Sequence, residues 1–153
     1  MTILRALVLT ITVVAALFGT ATAATAAPVP TAAAAAASKV PCSTAVRACV
    51  RLSTNQAWLL RGGKVVAGPV PVSHGRKGFA TPPGTFRVSF KNEDHVSSIY
   101  DQEMPYSVFF NGDIAFHQGS VRVKSHGCVH LTASAARQFF AELQPGDRVQ
   151  VLP

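Results

Sequence analysis

Acidic residues are scarce in this chain: Asp and Glu number 7 against 14 Lys and Arg, for a formal net charge of +7. A basic protein can meet nucleic acid, anionic lipid or an anionic cell envelope. The cations are scattered, however, and no basic run or aromatic-interleaved patch points to nucleic acid. Attraction to an anionic cell wall is the milder expectation. No apolar run reaches the ~20 residues needed to span a bilayer. Internal repeats are absent. Cysteine is limited to 3 residues and tryptophan to 1. No C-x2-C spacing occurs, and the H-x3-H pair His126–His130 therefore lacks the cysteine pair that usually completes a structural zinc site.

The N-terminus reads as a targeting segment. Arg5 precedes an uncharged apolar stretch, 6–19, and then "TATAATAAPVP" with small-residue cleavage sites. This is the pattern of a secretory signal peptide, 1–26, cut after Ala23 or Ala26. A retained membrane anchor is the alternative. Residues 27–41, "APVPTAAAAAASKVP", are low in complexity and unable to bury a core, so they read as a linker. The folded domain is then 42–153.

Export implies an oxidising compartment. Cys42 and Cys49 are expected to pair, with a gain of roughly 2–3 kcal/mol from constraining the unfolded chain. Cys128 is then the odd thiol, and an unpaired thiol in a secreted chain calls for a reason.

The folded part reads mostly as strands. Segments 48–53, 57–61 and 64–72 form a three-stranded meander punctuated by "STNQ" and "GG" turns. A turn-rich loop follows at 73–85, then a strand at 86–90. The polar connection 91–104 has room for one short strand near 96–100. Residues 105–110 and 114–118 form a hairpin around "NGD". The one convincing helix is "TASAARQFFAELQ", 132–144, capped by Thr132 or Ser134, with Ala136, Phe139, Phe140 and Leu143 on one face. A last strand covers 148–152. Trp58 reads as core, and His74 and His95 as solvated loop residues.

The chemistry concentrates in "AFHQGSVRVKSHGCVHL", 115–131. In an extended chain, residues 126, 128 and 130 share a face. Gly127 between them suggests a turn or a close backbone approach. The N–H groups of Gly127 and Cys128 are then candidates for an oxyanion hole. A free thiol ionises near pH 8.5 and needs a base, for which His117 and His126 are the candidates. A zinc site from His117, His126, Cys128 and His130 is an open alternative, as is a buried structural cysteine. Arg122 and Lys124, within this segment, flank the candidate site and read as solvated loop charges, with attraction of substrate carboxylates as the alternative.

"SHGCVHL" resembles the signature of the L,D-transpeptidase catalytic domain, the YkuD-type family. "TPPGTF" and "MPYSVFFNGDIAFHQ" resemble upstream parts of the same family. The likeness covers about 48–152. It implies a mainly β, YkuD-like sandwich or barrel-like domain with one clear helix near the C-terminus. It implies an enzyme that links peptidoglycan stem peptides, which serve as donor and acceptor, through a Cys128 acyl-enzyme with release of D-Ala. By the same resemblance His117 is the base, and Gln118 orients it through its backbone carbonyl. His126 and Ser125 shape the turn, and Tyr106 lines the substrate channel. His130 stands where Arg or Asn is usual. No cofactor or metal, no nucleic acid, a monomer and a secreted, wall-associated location are expected. The competing readings are an L,D-carboxypeptidase, with water as acceptor, and a non-catalytic wall-binding or zinc-stabilised module.

Overall fold

The structure, a computed structural model, describes residues 40–153. The expected signal peptide, 1–26, and linker residues 27–39 lie outside the described residues. The elements are β1 (Ala48–Arg51), β2 (Gln56–Arg61), β3 (Lys64–Ser73), β4 (Gly84–Arg87), β5 (Phe90–Ser97), β6 (Gln102–Asn111), β7 (Ile114–Gln118), β8 (Val129–Leu131), α1 (Ala133–Glu142) and β9 (Arg148–Leu152). The strands join in the order β4-β9-β1-β2-β3-β8-β7-β6-β5. The sheet curls into a half-barrel, in line with the mainly β class expected.

The ten-residue β3 makes the continuity possible. Its length up to Pro71 pairs with β2, and its last residues, Val72 and Ser73, pair with β8. Alternation does the rest. Leu59, Val72, Phe116 and Val129 turn inward from different parts of the sheet and meet Phe139 of α1 in one buried cluster. The helix forms where its periodicity predicts. The Thr132 side chain accepts from the Ala135 N–H, and Ala136 and Phe139 are fully buried. A second small cluster joins the Cys42–Cys49 disulfide to Val46, Trp58 and Leu60.

Three elements differ from expectation. The strand expected at 86–90 is two strands. β4 pairs with β9 and β5 with β6, because the chain crosses between opposite edges of the sheet at Val88 and Ser89. There the Val88 N–H donates to the Asp147 carbonyl and the Ser89 N–H to the Phe109 carbonyl. The polar stretch 91–104 is mostly strand: β5 runs to Ser97 and β6 starts at Gln102. β5 is an edge strand with few buried residues, so it carries no hydrophobic alternation to detect. The three-residue β8 escapes the same kind of search and is defined by its pairing with β7.

Candidate active site

β7 and β8 run parallel, with Phe116 opposite Val129 and His117 opposite His130. Phe116, Val129 and Leu131 belong to the core beneath α1. By the two-residue period, Ala115 and His117 of β7 and His130 of β8 turn to the other face. Cys128, just before β8, packs there against Met104, Phe109 and Ala115. The thiol therefore lies beside Ala115, and His117 follows two residues on, about 7 Å along the strand.

The turn before Cys128 is a closed hydrogen-bond circuit. Gly127 has φ +122, a conformation that favours glycine. The Ser125 hydroxyl donates to the Cys128 carbonyl at 2.5 Å and accepts from the Gly127 N–H at 3.0 Å. Thr81, 1% exposed, reaches in from the "TPPGTF" loop. Its hydroxyl donates to the Gly127 carbonyl at 2.5 Å and accepts from the Gly75 N–H at 3.0 Å. The circuit corrects one expectation. The Gly127 N–H is engaged by Ser125, so it is not a free oxyanion donor; the Cys128 N–H makes none of the turn's bonds. Thr81 had no assigned role in the sequence, although its "TP" context marked a turn. Thr81→Val is expected to leave two buried polar groups unpaired, at about 2–4 kcal/mol, and to slow alkylation of Cys128. Denaturant midpoints and thiol-trapping rates check this, and an unchanged midpoint would contradict it.

His117 is 6% exposed, and its Nδ1 lies 2.8 Å from the Gln118 carbonyl. A carbonyl only accepts, so Nδ1 carries the proton and Nε2 holds a free lone pair. Burial, with help from His130, lowers the His117 pKa from 6.5 to about 4, against an opposing push from the Gln118 carbonyl. Burial raises the Cys128 pKa. The Cys128 Sγ accepts from the Ala115 N–H at 3.5 Å and donates to the Asp113 carbonyl at 3.6 Å. The resting pair is thus neutral thiol and neutral imidazole.

The depressed His117 pKa has a cost in acid. Above pH 6.5 the imidazole is neutral in both folded and unfolded chains, and nothing is lost. As pH falls from 6.5 towards 4, only the unfolded chain takes the proton. The folded state should lose about 3 kcal/mol through this group by pH 4. The measurement is the difference in pH-dependent stability between wild type and His117→Asn; identical profiles would contradict it.

The family model described as the L,D-transpeptidase catalytic domain, YkuD, matches residues 45–151. The chain belongs to this family. No curated protein matches the chain significantly. Among solved structures, an L,D-transpeptidase from Stackebrandtia nassauensis is 32% identical, with a TM-score of 0.66, over 69% of this chain and 54% of that one. An L,D-transpeptidase from Mycobacterium smegmatis is 22% identical, with a TM-score of 0.65, over 71% and 59%. L,D-transpeptidase 3 from Mycobacterium tuberculosis, in complex with a faropenem-derived adduct, is 20% identical, with a TM-score of 0.64, over 71% and 60%. The last two likenesses are of fold. The chain spans little more than half the length of the structures it matches.

Within this YkuD domain the other expected site residues divide. His130 joins the site: its ring meets His117 edge-on at 4.9 Å, and its Nδ1 lies 3.1 Å from the Ser120 carbonyl. Gly119 makes the room, since a Cβ there would sit 2.8 Å from the His130 ring. His126 is exposed on the turn, stacked on Tyr100 at 4.4 Å and edge-on to Phe79 at 4.9 Å. Tyr106 lies elsewhere. Its φ is +59, and its ring packs on Phe140 and Arg137 of α1 rather than with Cys128. A non-glycine residue at positive φ breaks the strand's alternation, and here it turns the ring toward α1. Of the two histidines expected in solvated loops, His95 is on a strand, and His74, in the loop after β3, is half-buried. His95 lies on β5, edge-on to Phe109 at 4.9 Å. His74 accepts from the Lys124 ammonium at 2.8 Å.

Proposed function

We propose that this domain is an exported cysteine acyltransferase that forms interpeptide links in peptidoglycan. The observation that carries the mechanism is that Cys128, just before β8, and His117 of the neighbouring parallel β7 lie on one face of the sheet, with Nε2 of His117 unprotonated. In the first step the thiol proton passes to Nε2 while Sγ attacks the carbonyl carbon that precedes the D-Ala of a tetrapeptide stem. The tetrahedral oxyanion forms beside the Cys128 N–H. Collapse breaks the C–N bond, and the imidazolium protonates the departing amine of D-Ala. In the second step His117 takes a proton from an incoming stem amine, which attacks the thioester and releases the thiol. Because both groups rest neutral, proton transfer accompanies attack instead of preceding it.

Incubation of the purified protein with tetrapeptide-stem muropeptides tests this reading. Free D-Ala with a cross-linked dimer is the expected product. D-Ala with a tripeptide monomer would assign the carboxypeptidase reading, and no D-Ala would overturn both. A structure of the L,D-transpeptidase LdtMt1 in complex with imipenem, a carbapenem, supports a second arm. A carbapenem is expected to add its mass to the peptide that contains Cys128. Export is supported by the composition of 1–26, and the mature N-terminus should follow Ala23 or Ala26.

A further inference from the structure

The connection between β7 and β8 has a second wall. Residues Arg122 and Lys124 on it border a groove of about 480 Å³, whose other walls include Asn55, Gln56, Pro69 and Pro71. Neither Cys128 nor His117 lines this groove. Among the described residues no carboxylate lines it either, so the charged side chains on its walls are all cationic.

The two cations differ in how they are held. Lys124 donates to Asn55 Oδ1 at 3.3 Å and to His74 Nε2 at 2.8 Å. An ammonium has three N–H bonds, so the charge is fixed at the wall with one donor to spare. The Arg122 guanidinium has no side-chain partner among the described residues. Its planar donor fork matches a phosphate in bidentate fashion. The carboxamides of Asn55 and Gln56 supply neutral donors and acceptors beside these charges.

β3 pairs with β2 through this region, with Pro71 opposite Gln56. Pro69 and Pro71 have no N–H to offer, so they block an extended peptide from adding to this edge of β3. An anion with hydroxyl groups fits the remaining chemistry better than a peptide strand does.

We propose that this groove is a second binding site, for a phosphate ester of a polyol, the unit of an anionic polyol-phosphate polymer. Its occupant touches the connection that carries the catalytic turn. Lys124 directly precedes Ser125, whose N–H donates to the His74 carbonyl and whose carbonyl accepts from the Arg76 N–H. Binding there would hold the domain on a charged polymer while leaving the Cys128 face open. The site does not depend on the acyl-transfer reading.

The test is a titration of the mature protein with glycerol 3-phosphate, followed by amide chemical shifts. Saturable shifts are expected at Asn55, Gln56, Arg122 and Lys124. Affinity should fall at least ten-fold in Arg122→Gln, whose side chain supports nothing else, and also in Lys124→Gln. Cys128→Ala should bind as wild type does, so failure of the catalytic reading leaves this result intact. No saturable shift, unchanged binding by Arg122→Gln, or equal binding of succinate would overturn the phosphate site. Inorganic phosphate binding as tightly as the ester would overturn the polyol part.

Discussion

Cys128→Ala is expected to abolish D-Ala release from tetrapeptide stems, with a loss of roughly 10⁴-fold or more, and to lose the carbapenem mass adduct. The expected size follows from the chemistry. Without Sγ no acyl-enzyme forms, and only binding and the backbone donor remain to favour attack by water. The fold should survive, because the thiol is only half-buried and its polar contacts are two weak ones, with the Ala115 N–H and the Asp113 carbonyl. Circular dichroism and the thermal midpoint check that separately. A variant that stays folded and still releases D-Ala would refute the nucleophile.

His117→Ala is expected to lower the rate by about 10²–10⁴-fold, the usual contribution of a positioned base. The loss should be larger here than for a base beside a pre-formed thiolate. Cys128 is held as the thiol by burial, so no pool of thiolate compensates for a missing Nε2. The pH profile separates this from a structural effect. Wild type should hold its rate in mild acid and lose it only near pH 4, where the buried imidazole protonates. In His117→Ala that limb should vanish. His130→Arg is the contrast, since His130 touches the edge of the His117 ring but its Nδ1 is committed to the Ser120 carbonyl. A greater loss in His130→Arg than in His117→Ala would reverse the assignment of the base.

How far residue pattern carried the fold depended on burial. β1, β2 and β9 bury alternate or successive residues, and β3, buried only at Val72 and Ser73, is marked by the Gly62–Gly63 turn before it, so local chemistry was enough to find them. α1 had both its cap and its apolar face. β5 had neither a buried face nor turn punctuation within it, and it exists because β6 supplies its hydrogen bonds. β8 is too short for a period to show.

The same division runs through the site. Cysteine count pointed to Cys128 as the odd thiol, since Cys42 and Cys49 were expected to pair, and they do so in the structure. The run around Cys128 marked the chemistry, because a glycine beside a thiol with histidines nearby is a local pattern. Which atoms meet was not local. His117 comes to the Cys128 face through the parallel register of β7 and β8, and spacing along the chain allowed His126 equally well. The Gly127 N–H looked free until Ser125 and Thr81 closed the turn, with Thr81 arriving from a loop 46 residues away in sequence. Tyr106 turned to the helix because its backbone leaves the strand conformation. Composition and period describe what a segment can bury. Proton position, donor availability and side-chain direction depend on partners that only strand pairing and packing bring into contact.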